Sequence, residues 1–95
     1  MDDATEYPID GVLDLHVFQP SDTGDLVPDY LRLCRDKGIL RVRIIHGKGT
    51  GALRRSVHAI LDRMAMVQRY EQAKDRSGWG ATIAFLAPDA SPAAD

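Results

Sequence analysis

Two short apolar runs, Val12 to His16 and Val42 to His46, are each followed by a loop and then by a stretch of helical-period hydrophobicity. That alternation restricts the chain to an α/β fold. In the first run Leu13 and Leu15 alternate with Asp14 and His16, so a strand here projects the acid and the imidazole from one face. The second run is β-branched up to His46. Asp25 to Lys37 reads as a helix. Its stripe is Leu26, Tyr30, Leu33 and Cys34, widened by Val27 and Leu31, and Pro28 falls in its first turn. Arg32, Arg35 and Lys37 come late, and Gly38 supplies a C-terminal cap. Ala52 to Met64 is a second helix with Leu53, Val57, Ile60, Leu61 and Met64 in register. Val67 to Gln72 and Ala81 to Ala87 are two further strands around a turn at Asp75 to Gly80. The order is βαβαββ. A strand–helix–strand unit has parallel strands and a right-handed crossover. The expected architecture is therefore a two-layer α/β sandwich, with a four-stranded mixed sheet and two helices on one face. The other sheet face is expected to be more open than in a doubly wound fold.

The 95 residues make one domain, expected over residues 9–87 between flexible tails at 1–8 and 88–95. No apolar run approaches the ~18 residues of a membrane helix. The acidic start, Met1-Asp2-Asp3-Ala4-Thr5-Glu6, is unlike a secretory signal. With Cys34 as the single cysteine, a cytoplasmic, non-membrane protein is expected. The net charge of −2 hides an asymmetry. Residues 1–25 carry seven acids and no Lys or Arg, whereas residues 26–63 carry nine Lys or Arg against three acids. A basic centre attracts a polyanion even in a mildly acidic chain, although scattered Arg and Lys equally describe a solvated helix face. Nothing in the sequence sets the oligomeric state.

The chemistry concentrates where the strands end. In α/β folds, ligands bind beyond the carboxyl ends of parallel strands. If the first two strands are neighbours, Asp14, His16 and His46 meet there. A carboxylate beside an imidazole holds its tautomer and raises its basicity. The same residues could ligate a divalent metal, with His46 as third ligand, or form a structural pair. Gly47, Gly49 and Gly51 alternate with Lys48 and Thr50 between a strand and a helix. Glycines permit positive φ and turn N–H groups toward an anion, and the following helix adds its positive end. Lys48, Arg54 and Arg55 add formal charge. The spacing is neither a P-loop nor a dinucleotide fingerprint, and a tight strand–helix turn would also need these glycines. His58 reads as a surface or packing histidine. Trp79 either stacks on a base, covers the sheet edge or pins the loop. Cys34, Met64 and Met66 read as core.

Leu13-Asp14-Leu15-His16 and His46-Gly47-Lys48-Gly49-Thr50-Gly51, in this order and with a helix between them, resemble the small MutS-related (Smr) domain. The resemblance runs from about Gly11 to Leu86 and includes Gly80-Ala81-Thr82-Ile83 as a glycine-led last strand. It implies a βαβαββ sandwich similar to the C-terminal domain of translation initiation factor three. It also implies an endonuclease that nicks DNA or cleaves RNA. Asp14 and His16 match the motif tied to cleavage. His46, Gly47, Lys48 and Gly49 match the motif tied to nucleic-acid binding and the floor of the active site. Metal dependence differs within the family. Family members usually carry Gly after the motif histidine, where this chain has Val17, and a bulky residue there would narrow the groove or redirect the strand end.

The expected function is cleavage of DNA or RNA phosphodiesters. His16 is the base, Asp14 orients it or holds magnesium or manganese, and His46 completes the catalytic set. Gly47, Lys48, Gly49, Thr50, Gly51, Arg54 and Arg55 bind the nucleic-acid phosphate. The partner is nucleic acid, with room for a larger protein or the ribosome, because no ATPase or repeat array accompanies the domain. The alternatives are a non-catalytic nucleic-acid-binding or adaptor module of the same fold, and a domain for a small phosphorylated ligand.

Overall fold

The computed structural model describes residues 9–47, 49, 51–74 and 80–88. The expectations for both terminal tails (Pro88 apart), for Lys48 and Thr50, and for Trp79 and most of its turn lie outside them. The elements are β1 (Val12–Asp14), α1 (Thr23–Asp36), β2 (Arg41–Ile45), α2 (Ala52–Asp62), β3 (Val67–Gln72) and β4 (Ala81–Leu86). The sheet order is β1-β2-β4-β3. β1 and β2 are parallel, with Leu13 opposite Ile44. β2 pairs antiparallel with β4, and β4 antiparallel with β3. The sheet is thus mixed, with both helices on one face, as the element order requires. Among the described residues no helix is long and apolar enough to cross a membrane.

The core lies between that face and the helices. Leu13, Val42, Ile44, Ala84 and Leu86 meet Val27, Tyr30, Leu31 and Cys34 from α1 and Val57, Ile60 and Leu61 from α2. Burial pushes the Cys34 thiol up from its ordinary pKa, so it is an inert core group. The other face carries neither helix but has a small apolar cluster of its own. Ala73, Ala81 and Ile83 are buried there with Ile45 and Phe85 packed against them. The Arg69 guanidinium lies 3.9 Å from the Phe85 ring centroid, so its stem shields apolar surface that a bare sheet would expose.

Two boundaries differ from the sequence reading in ways that matter for function. β1 stops at Asp14, and Leu15–Val17 is a turn of 3-10 helix. α1 starts at Thr23 because a second 3-10 turn, Pro20–Asp22, leads into it. Pro28 therefore lies in the second helical turn, not the first. It cannot donate to the carbonyl of Gly24, which is exposed and can meet water instead.

Tyr30 ties α1 to the start of β1. Its hydroxyl accepts from Gly11 N at 3.1 Å and donates to the Val12 carbonyl at 3.0 Å. The ring is fully buried, and burial first of all pushes its pKa up to about 12. Tyr30→Phe keeps the packing but strands a buried N–H and carbonyl. It should lower the unfolding free energy by about 1–3 kcal/mol, read from urea denaturation midpoints at unchanged slope.

Candidate functional site

The end of β1 turns out of the sheet and carries the first part of the site. Asp14 Oδ1 accepts the backbone N–H of His16 at 2.9 Å, capping the 3-10 turn. The same oxygen lies 2.9 Å from His16 Nδ1. Asp14 and His16 are therefore paired through a turn, not by sharing one face of a continuous strand. The turn places the ring directly over its acceptor, which a flat strand would not do. A carboxylate only accepts, so Nδ1 carries a proton, and in the neutral ring it is Nε2 that keeps the lone pair. Both side chains are exposed, at 59% for His16 and 46% for Asp14, so the pair is open to a ligand. Val17 is 74% exposed. It stands at the end of the 3-10 turn that carries His16.

The glycine loop meets this pair. Gly47, Gly49 and Gly51 all have positive φ, at 80°, 22° and 87°. At Gly47 a Cβ would stand 2.7 Å from His16 Nε2, so the unprotonated nitrogen rests on the loop backbone. Gly51 is the left-handed N-cap of α2 and makes no side-chain cap. The first turn of α2 borders a cleft of about 350 Å³. Pro20, His46, Gly47, Gly49, Leu53 and Ser56 are among the residues lining it. The Arg54 and Arg55 guanidinium groups come within 3.6 and 3.2 Å of the position a Gly51 Cβ would take. The structure therefore gathers Asp14, His16, Gly47, Gly49, Gly51, Arg54 and Arg55 at one end of the sheet.

His46 stands apart from them chemically. It is 4% exposed. Its Nδ1 lies 3.0 Å from the Gly47 carbonyl and its Nε2 2.8 Å from Thr82 Oγ1. The Thr82 hydroxyl is in turn 2.9 Å from His58 Nε2. The His58 ring packs on Tyr70 with centroids 4.7 Å apart, and Tyr70 donates to Asp62 at 2.8 Å. Among the described residues, no group of three His, Cys, Asp or Glu could hold a metal ion. With both ring nitrogens engaged, His46 does not join Asp14 and His16 as a ligand set. Sequence reasoning missed Thr82 and Tyr70 and gave His58 only a packing role. The available signal was a hydroxyl at an inward position of the apolar β4 run, two residues before Ala84.

Both buried-side histidines resist protonation. Burial lowers the His46 pKa, aided by Arg54 and His16 and opposed by the Gly47 carbonyl. Burial likewise lowers that of His58, aided by His46 and Arg54 and opposed by Asp62. The unfolded chain binds these protons below the ordinary value of about 6.5, while the folded chain refuses them until lower pH. Stability is therefore lost as pH falls from about 6.5 toward the folded values. Urea midpoints should drop between about pH 7.5 and about pH 5, and His58→Gln should reduce the drop.

The family model described as the Smr domain matches residues 13–87. The chain is 46% identical over 50 residues to "Endonuclease MutS2" of Halothermothrix orenii, covering 52% of this chain and 6% of that protein. It is 38% identical over 73 residues to "Endonuclease MutS2" of Thermomicrobium roseum, covering 76% and 9%. The chain thus spans less than a tenth of the length of these two relatives. The crystal structure of the Smr domain of Thermus thermophilus MutS2 superimposes with TM-score 0.76 at 31% identity, covering 83% of this chain and 100% of that one. That of YdaL, a stand-alone small MutS-related protein from Escherichia coli, gives TM-score 0.72 at 27% identity, covering 88% and 70%.

Proposed function

The chain belongs to the Smr domain family, and from that premise we propose that it cleaves phosphodiester bonds of DNA or RNA, with His16 as general base. The observation that carries this reading is the contact of His16 Nε2 with the Gly47 backbone. It puts the one unprotonated ring nitrogen beside a row of positive-φ glycines and a helix N-terminus, where a phosphate is held best. Asp14 fixes the tautomer. His16 Nε2 takes the proton from a water or, in RNA, from the 2′-OH, and that oxygen bonds to phosphorus. The bond to the leaving oxygen breaks, and the leaving oxygen takes a proton from solvent. Loop N–H groups beyond Gly47, whose own N–H is given to the Gly80 carbonyl, stabilise the added charge on the phosphoryl oxygens. Arg54, Arg55 and Lys48 neutralise neighbouring phosphates without reading sequence.

Were a magnesium or manganese ion used, Asp14 would be the residue to hold it. The ion would supply charge neutralisation at the phosphoryl oxygens. The MutS2 relatives described as endonucleases support the reading for their shared Smr segment. A larger protein or the ribosome would bring substrate to a domain this small.

The test is cleavage of supercoiled plasmid and of structured RNA, each with chelator, magnesium or manganese. Product from one polymer identifies the substrate, and the chelator lane decides the metal. Salt-sensitive binding without product under any condition would instead make the domain a nucleic-acid adaptor. Equal affinity for mononucleotides and long polymers would make it a small-ligand domain.

A further inference from the structure

The Gly47 carbonyl can only accept, and this fixes the direction of every hydrogen bond behind the loop. His46 Nδ1, 3.0 Å away, must be the donor. In the neutral ring, Nε2 then holds a lone pair and accepts from Thr82 at 2.8 Å. The Thr82 hydroxyl has one proton and has spent it on His46. Its oxygen must therefore accept from His58 Nε2 at 2.9 Å. The order reads His58 to Thr82 to His46 to Gly47, with each donor feeding the next acceptor. A Cβ at Gly47 would stand 2.7 Å from His16 Nε2, so the residue on which the train ends is also the one the exposed base sits against.

We infer that Thr82 and His58 are positioning residues, which act through His46 to hold the Gly47 peptide in the orientation that seats His16 against the loop. A buried imidazole with both nitrogens satisfied is a rigid strut. Removing the hydroxyl leaves His46 Nε2 without its donor in a site that is 4% exposed, and the ring must tilt or change tautomer to recover one. Either movement pulls on the Gly47 carbonyl. His58 adds direction to the train, because its donated proton prevents the Thr82 proton from turning toward α2. Tyr70, held by Asp62, packs on the His58 ring and keeps it in place. The charged groups around the train are Arg54 beside both rings, His16 beside His46, and Asp62 beside His58.

The activity arm of this inference rests on the cleavage reading, whereas the hydrogen-bond order does not. Histidine side-chain 15N spectra of the native protein, recorded without substrate, should show His46 protonated at Nδ1 and His58 protonated at Nε2. Thr82→Val, close in shape but without the hydroxyl, should move the His46 Nε2 resonance downfield and shift the amides of Gly47 and Gly49. Its kcat for cleavage should fall by roughly 10–100-fold with little change in KM, as expected for a displaced catalytic group. Thr82→Ser should restore the resonance, the amide positions and most of kcat. A native His46 protonated at Nε2 would overturn the inference, as would a Thr82→Val protein with unmoved His46 and unmoved kcat. Should Thr82→Val fail to fold, the native tautomers and the Thr82→Ser spectrum decide the matter. Absence of cleavage by the native protein would remove the cleavage reading alone, since the tautomers and loop amides are read without substrate.

Discussion

His16→Ala should reduce cleavage by about 10²–10⁴-fold, the range associated with loss of a general base, while the domain stays folded. The ring is exposed and packs on nothing deeper than the Gly47 backbone. Its removal should therefore change the unfolding free energy by no more than about 0.5 kcal/mol. Asp14→Asn probes the partner separately. Asparagine still offers an oxygen to the His16 backbone N–H, so the 3-10 turn keeps its cap. It carries no charge to stabilise the imidazolium formed when His16 takes a proton, and its amide can select the wrong tautomer. The expected loss is about 10–10³-fold, smaller than for His16→Ala because base catalysis is impaired rather than removed. Steady-state kinetics on the cleaved polymer, with circular dichroism to verify the fold, gives both values. Native rates in both variants would remove Asp14 and His16 from the chemistry.

The parts of this domain governed by hydrophobic period were legible from the chain. Leu13, Ile44, Val57, Leu61 and Ala84 fall on the inward faces of elements whose order already dictates parallel β1 and β2 and a mixed sheet. The local geometry of the site was less legible, because short polar hydrogen bonds decide it. Leu13-Asp14-Leu15-His16 alternates like a strand. Yet the Asp14 carboxylate captures the His16 N–H and ends the ladder one residue after Leu13, a local competition that periodicity does not register. His46 has the composition of a site residue, but its function depends on a hydroxyl 36 positions away. No spacing rule joins His46 to Thr82. Only the antiparallel register, with Ile44 opposite Thr82, brings them together. The cover on the sheet face away from the helices was illegible for a similar reason, since Arg69 counts as polar in the sequence but lies over the Phe85 ring.

Gly47→Ala should separate the two roles of the glycine loop. An alanine at φ 80° carries a strain of roughly 1–2 kcal/mol, so the unfolding free energy should fall by about that amount. The steric conflict is a different matter. The added methyl would stand 2.7 Å from His16 Nε2, closer than any real contact allows, and the backbone there is pinned by His46 and by two bonds to the Gly80 carbonyl. The exposed imidazole is the part that gives way. It swings off the loop and out of line with Asp14, and cleavage should fall by about 10²-fold, far more than the modest destabilisation would produce. Gly49→Ala is the matched control, since a Cβ at Gly49 meets nothing within 4 Å although φ is also positive. It bears the backbone strain and leaves His16 seated. A large kinetic loss in Gly47→Ala with a small one in Gly49→Ala would assign the effect to the seat of His16. Equal losses would assign it to backbone strain in the loop, because both substitutions place a side chain at positive φ.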